Sequence, residues 1–316
     1  MSHESTSGEA VPADPSHGGP FDVGVLRARL PEHHAADGTT RPLRLVLWYP
    51  TGDDGDLDPA LKGRIDARAS GAGPFPVVGF SHGYLGMPEQ STFLMAHLAS
   101  HGFVVAAARH VDGKQTRDGS FLNRPGEVRA AVDFAIEQSA LDDSLLSGAV
   151  DATRLGVMGH SFGALTTLAL LAQQDNRFTA GIAMAPGIRA GDVVDVRDDL
   201  PKITAPTMFM MGQQDVLALY PDLTAGYAAL QTDERYALVF PEANHFAFTD
   251  LHVTEGAGVS ALDHAQGHQL ISTYATAFMQ VFVAGQTGFE RHLRQGQDIA
   301  DGAAHLTRGP LLDRDG

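Results

Sequence analysis

"GVMGHSFGAL", residues 156–165, decides how this chain is read. Glycines stand two places to either side of one serine, Ser161, straight after an apolar run. Two readings compete: a nucleophile elbow, or a glycine-rich turn that happens to hold a serine. With 35 glycines in 316 residues, Gly-x-Ser-x-Gly arises by chance roughly 0.2 times in such a chain, so the motif alone is weak. Its context is stronger. "RLGVMG" (154–159) reads as a buried strand and 162–174 as a helix, which sets the serine on a strand-to-helix turn. That turn is strained, and side chains at 159 or 163 would strike the neighbouring strand and helix. The hydroxyl then projects above the carboxyl edge of the sheet, at the positive end of the helix.

Outward from this turn, short apolar runs alternate with helical stretches. Strands are predicted at 75–80, 103–108, 154–159, 179–185, 206–212 and, last, 236–240. Helices are predicted at 89–101, 126–139 (opened by Pro125), 162–174, 219–230 and about 262–284. Continuous apolar strands separated by helices indicate an α/β protein with a mostly parallel sheet covered on both faces. Ahead of it, 21–30 and 43–50 read as an antiparallel hairpin, followed by a loop over 51–74. Residues 1–20, rich in Gly, Pro and Ser, read as a disordered tail. The C-terminal extension, 286–316, reads as a short helix at most. One domain over 21–285 accounts for the rest; the insert at 186–204 is long enough only for a small cap.

A serine hydroxyl needs a base to become a nucleophile. Asp215 follows the strand "PTMFMMG", and His245 follows "YALVF", in the order serine, acid, histidine. Ser161 would attack, His245 would carry the proton and Asp215 would hold the imidazolium. Asp250 and Glu242 are the rival acids. An oxyanion hole needs two backbone N–H groups: that of Phe162, and that of Tyr84 in "FSHGYLG", where Gly83 permits close approach. His82 and His160 are read as packing and hydrogen-bonding residues. Leu85, Val216, Leu217 and Phe246, with Tyr84 and Phe162, are the candidate walls of the substrate site.

Composition narrows the partners. The net charge of −16 repels nucleic acid and anionic membranes. The absence of cysteine removes disulfides, thiolate metal sites and a cysteine nucleophile. No apolar run reaches the length of a membrane span. The N-terminus lacks the basic and apolar regions of a signal peptide, which points to the cytoplasm unless a leader has been removed. "DDGDLD" (53–58) fails as a calcium loop, because Pro59 and Ile65 fall where Gly and Glu are required. His264 and His268 share a helix face but lack the glutamate of a zincin. No metal or cofactor is expected, and the sequence does not address oligomeric state.

"FPVVGFSHGYLG", "LMAHLASHGFVVAAARHVDG", "RPGEVRAAVDF" and "RLGVMGHSFGALTTLALL" together resemble the dienelactone-hydrolase-like esterases grouped with platelet-activating-factor acetylhydrolase, and "RPLRLVLWYPTG" fits the same group. That resemblance implies an α/β-hydrolase fold and ester hydrolysis. The chain departs from the acetylhydrolase branch where "GIAMAPG" carries Ala185 instead of an acid, which moves that role to Asp215. A second resemblance, carried by "SHGYLG", "APTMFMMGQQD" and "FPEANHF", is to cutinase-like polyester hydrolases. Phe162 and Gly187 stand where that group has methionine and tryptophan. The expected function is a serine esterase acting on a small or polymeric ester. An amidase, another acyl-transfer enzyme, and a non-catalytic binding protein are the alternatives.

Overall fold

The computed structural model describes residues 14–111, 117–173, 177–190, 194–251, 260–294 and 297–311. In chain order the strands are β1 (Asp22–His34), β2 (Thr40–Thr51), β3 (Leu57–Asp58), β4 (Gly63–Ile65), β5 (Phe75–Ser81), β6 (Val104–Ala108), β7 (Val150–His160), β8 (Ala180–Met184), β9 (Arg189–Ala190), β10 (Val194–Asp195), β11 (Thr207–Gly212), β12 (Arg235–Phe240), β13 (Gln297–Ile299) and β14 (Ala304–Arg308). The helices are α1 (Thr92–Ser100), α2 (Arg117–Ser139), α3 (Phe162–Ala172), α4 (Tyr220–Ala229) and α5 (His264–Phe282).

Twelve strands form one sheet in the order β13-β14-β12-β11-β8-β7-β5-β6-β2-β1-β4-β3. Its centre, β12-β11-β8-β7-β5-β6, is parallel throughout. The reason is in the sequence: runs such as Val77–Phe80 and Met208–Met211 are buried on both faces, so helices must cover both. Alternation sorts them. Trp48, Val78, Phe80, Met158 and Met210 pack with α1 and α5. Val77, Ala106, Val157, Phe209 and Met211 pack with α2, α3 and α4. This is the α/β-hydrolase arrangement, with β1 and β2 as an antiparallel hairpin on one flank. Among the described residues, no helix is long and apolar enough to cross a membrane.

Four expectations change. The chain is already helical at Arg117, so Pro125 lies inside α2 rather than opening it. Strand β12 is not the last: β14 pairs antiparallel with it and β13 with β14, so the C-terminal extension adds a sheet edge after a 3-10 turn at Thr287–Leu293. The loop at 51–74 contains β3 and β4. Residues 14–20, expected in the tail, are held on α1: His97 and His101 donate to the carbonyls of Pro15 and His17, and Gly19 N–H donates to Ser100 Oγ. Residues 1–13 of that tail, like 312–316, lie outside the described residues. The insert at 186–204 forms the β9–β10 ribbon and a 3-10 turn at Leu200–Lys202, no larger than a small cap.

Candidate active site

Strand β7 ends in the turn that carries Ser161, at φ 56° and ψ −119°. This left-handed region is strained for a residue with a Cβ. The turn is held because Ser161 N–H donates to Met184 O on β8 at 2.9 Å and because its glycines let backbones touch. A Cβ at Gly163 would lie 1.9 Å from Ser81 O, and one at Gly159 2.3 Å from Gly163 O. Leu85 and Ala185, on loops beside the serine, also have positive φ. Helix α3 starts at Phe162, so the Phe162 N–H is one of the helix's unpaired N-terminal donors.

Asp215 and His245 follow β11 and β12, the two strands beyond β8. The structure brings them to the serine. Ser161 Oγ lies 2.8 Å from His245 Nε2, and His245 Nδ1 lies 2.6 Å from Asp215 Oδ2. The other carboxylate oxygen accepts from the N–H groups of Leu217 and Ala218, both at 2.8 Å, so both oxygens are fixed. A 3-10 turn at His245–Phe248, capped by Asn244, fixes the histidine loop. The rival acids stand elsewhere. Asp250 accepts from Phe93 N–H at the start of α1, and burial pushes its carboxyl up; Glu242 is exposed.

Gly83 sits against the serine: a Cβ there would be 3.6 Å from Ser161 Cβ. Tyr84 follows it, its ring edge-on to Phe162 at 5.5 Å. Two polar side chains not singled out from the sequence hold this loop. Gln90 accepts from Gly83 N–H at 3.1 Å and donates to His160 Nδ1 at 3.0 Å. His160 in turn donates from Nε2 to the His245 carbonyl at 2.9 Å. Burial, with the His245 ring beside it, pushes the His160 pKa down to about 3, so the ring is a neutral strut between the two loops. On the other side, fully buried Arg124 donates to His82 O at 2.6 Å and Gly83 O at 3.2 Å. Its guanidinium lies 4.7 Å from the centre of the Phe162 ring.

Behind Arg124 a second buried set appears. Ser81 Oγ lies 2.9 Å from His110 Nε2, and His110 Nδ1 lies 2.7 Å from Glu127 Oε2. Arg41 donates to the other oxygen of Glu127 at 2.6 Å; burial still pushes that carboxyl up. His82 donates from Nδ1 to Gly83 O and accepts at Nε2 from His110 N–H.

The expected walls divide. Phe162 is buried, and Tyr84 and Phe246 are half-buried. Leu85, Val216 and Leu217 are 65%, 53% and 57% exposed, so they form a rim. Val216 and Leu217 also border a pocket of about 320 Å³ floored by Pro186, Gly187 and Ile188. Leu219, also exposed, borders the same pocket as Val216 and Leu217. His268, weighed as a metal ligand, instead donates to Thr249 O and stacks on Phe93.

The profile of the PETase family, described as PET hydrolase-like, matches residues 62–308. Cutinase est2 of Thermobifida alba is 28% identical over 225 residues, which is 70% of this chain and 64% of the cutinase. Platelet-activating factor acetylhydrolase of Cavia porcellus is 23% identical over 275 residues, 71% of this chain and 62% of that protein. The chain thus spans just under two thirds of the length of these curated relatives. A ferulic acid esterase from Streptomyces cinnamoneus superposes with a TM-score of 0.63 at 18% identity, covering 84% of this chain and 91% of the esterase. At that identity the likeness is one of fold.

Proposed function

The chain belongs to the PET hydrolase-like family, and from that membership we propose that it is a carboxylic ester hydrolase working through an acyl-enzyme on Ser161. The observation that carries the reading is the relay from Ser161 Oγ through His245 to Asp215, with contacts of 2.8 and 2.6 Å. His245 Nε2 takes the hydroxyl proton as Oγ attacks the ester carbonyl. The imidazolium formed is stabilised by the Asp215 carboxylate at Nδ1. Negative charge on the carbonyl oxygen is met by the N–H groups of Phe162 and Tyr84. His245 then protonates the leaving alkoxide, and the acyl group stays on Ser161. Water, deprotonated by the same histidine, releases the acid and restores the serine. Ester and water are the only reactants.

A polymeric ester is the second reading, and the exposed apolar side chains of Leu85, Val216, Leu217 and Leu219, on the loops that carry Tyr84 and Asp215, favour it. Large apolar side chains left in water around one cleft mark a surface for an apolar partner. The test is a series of p-nitrophenyl esters of graded chain length, with matched anilides and a polyester film. Ester turnover together with labelling of Ser161 by a fluorophosphonate is expected. Turnover of the anilides at rates matching the esters would replace esterase by amidase. Failure of the probe to label Ser161 would leave a binding protein.

A further inference from the structure

Four arginines share one exposed patch of the sheet, outside the Ser161–His245–Asp215 set. Arg29 on β1 stands directly opposite Arg44 on β2. Arg109, just past the end of β6, donates its backbone N–H to Arg44 O at 2.9 Å and continues the row onto a third strand. Arg27 lies two residues along β1 on the same face. All four are exposed, and with Pro88 and Glu89 they border a groove of about 360 Å³.

The row is electrostatically unfavourable as it stands. Like charges directly opposite on neighbouring strands destabilise a sheet, and strands are only about 4.8 Å apart. The chain has 38 acidic residues for 22 basic ones, and it pairs its arginines elsewhere: Arg41, Arg154, Arg177, Arg197 and Arg308 each meet a carboxylate. Among the described residues, the side chains of Arg29, Arg44 and Arg109 make no ion pair or hydrogen bond. Arg27 reaches Asp58 at 3.7 Å, and Glu89 at the rim pairs with none of them. Three guanidinium groups at the groove thus have no carboxylate partner among the described residues, and the fourth has Asp58 alone. Guanidinium forks match carboxylate and phosphate groups bidentately, and the groove has the size of a small-molecule site.

We infer that this row binds a small ligand carrying two or more oxyanion groups, carboxylate or phosphate, spaced to span neighbouring strands. The net charge of −16 does not oppose this at close range, because charges more than about 10 Å away are largely screened at 0.1 M salt. The site is independent of the ester hydrolysis proposed above.

Isothermal titration at about 0.1 M ionic strength, where the remote acidic residues are screened, tests it, with inorganic pyrophosphate and citrate as probes, on the wild type and on Arg44→Gln. Saturable one-to-one binding of at least one probe is expected, weakened tenfold or more in Arg44→Gln and by added salt. The ligand-free variant should melt no lower than the wild type at low salt, because the substitution relieves repulsion. Absence of saturable binding by both probes, or equal binding by the variant, overturns the site. A lower melting temperature for ligand-free Arg44→Gln overturns it as well, because the arginine is then structural. Vesicles containing phosphatidylglycerol form the third arm. Arg44-dependent sedimentation with them, while both small anions fail, overturns the small-ligand class in favour of a lipid surface.

Discussion

Two sets of serine, histidine and carboxylate lie against each other in this protein, wired alike. In the first, Ser161 reaches His245 at 2.8 Å and His245 reaches Asp215 at 2.6 Å. In the second, Ser81, His110 and Glu127 are linked at 2.9 and 2.7 Å. Histidine and acid are buried in both, so the difference lies in the serine. Ser81 is 0% exposed and ends an extended strand, with the Arg124 guanidinium 3.4 Å from its hydroxyl. Ser161 stands in a strained turn at the head of a helix and is only partly buried. A hydrogen-bonded relay does not by itself make a nucleophile. The hydroxyl must also face room for a tetrahedral carbon and donors for its oxyanion. The buried set has another use: Gly163 rests against Ser81 O, so it forms the seat of the elbow.

The comparison breaks most easily at the serines. Ser161→Ala should lower kcat for an ester by about 10⁶-fold, and should abolish fluorophosphonate labelling. Residual labelling at Ser81 would mean that the buried set opens to solvent. Asp215→Asn should cost about 10⁴-fold, because the histidine is then held in the wrong tautomer. Unchanged kcat in that variant would remove Asp215 from the relay.

What could be read from the sequence follows the same division. Ser161, Asp215 and His245 each come on the short loop that follows an apolar run, so strand periodicity and chain order suffice to bring them to one sheet edge. Arg124, Gln90 and Glu127 carry no such mark. An arginine beside a proline reads as a solvated helix start, and only the tertiary position of α2 puts its guanidinium under the 82–83 loop. The same contact explains the misplaced start of α2. Asn123 and Arg124 are held by tertiary bonds, Asn123 Oδ1 accepting from Asp37 N–H, and these outweigh the helix-opening preference of Pro125. Strand β14 is not legible in the sequence because "AHLTR" is a short segment whose alternation is weak without β12 and β13 beside it. The landmarks that set the chain apart from the cutinase-like group, its methionine and tryptophan, are single positions replaced here by Phe162 and Gly187. The family match rests instead on the body of the chain, and it places the second resemblance first.

Arg124 joins the two sets, touching the 82–83 carbonyls on one side and the Phe162 ring on the other. Arg124→Lys keeps the charge that balances Glu127 but loses the fork. A shift of the 83–84 loop by a fraction of an ångström should cost roughly 10- to 100-fold in kcat. Because the bonds act on the loop of the proposed oxyanion donors and not on the ground-state ester, KM should stay within about threefold. A purely structural arginine would instead lower the melting temperature and the amount of active enzyme while leaving kcat per titrated site unchanged. Active-site titration with a fluorophosphonate separates the two.

The smallest expected effect is the one that most sharpens the comparison. Ser81→Ala removes the hydroxyl of the buried set and leaves a methyl group in its place. His110 Nε2 then loses a partner inside the protein, which should cost about 1–3 kcal/mol of stability, measured by urea unfolding. Catalysis should scarcely respond, with kcat changing less than about threefold, because the backbone at Ser81 still supports Gly163 and Arg124 still holds the loop. If kcat instead fell by 100-fold at unchanged stability, the two sets would be coupled in the reaction. The buried histidine would then have to be counted as part of the proton path rather than of the seat beneath it.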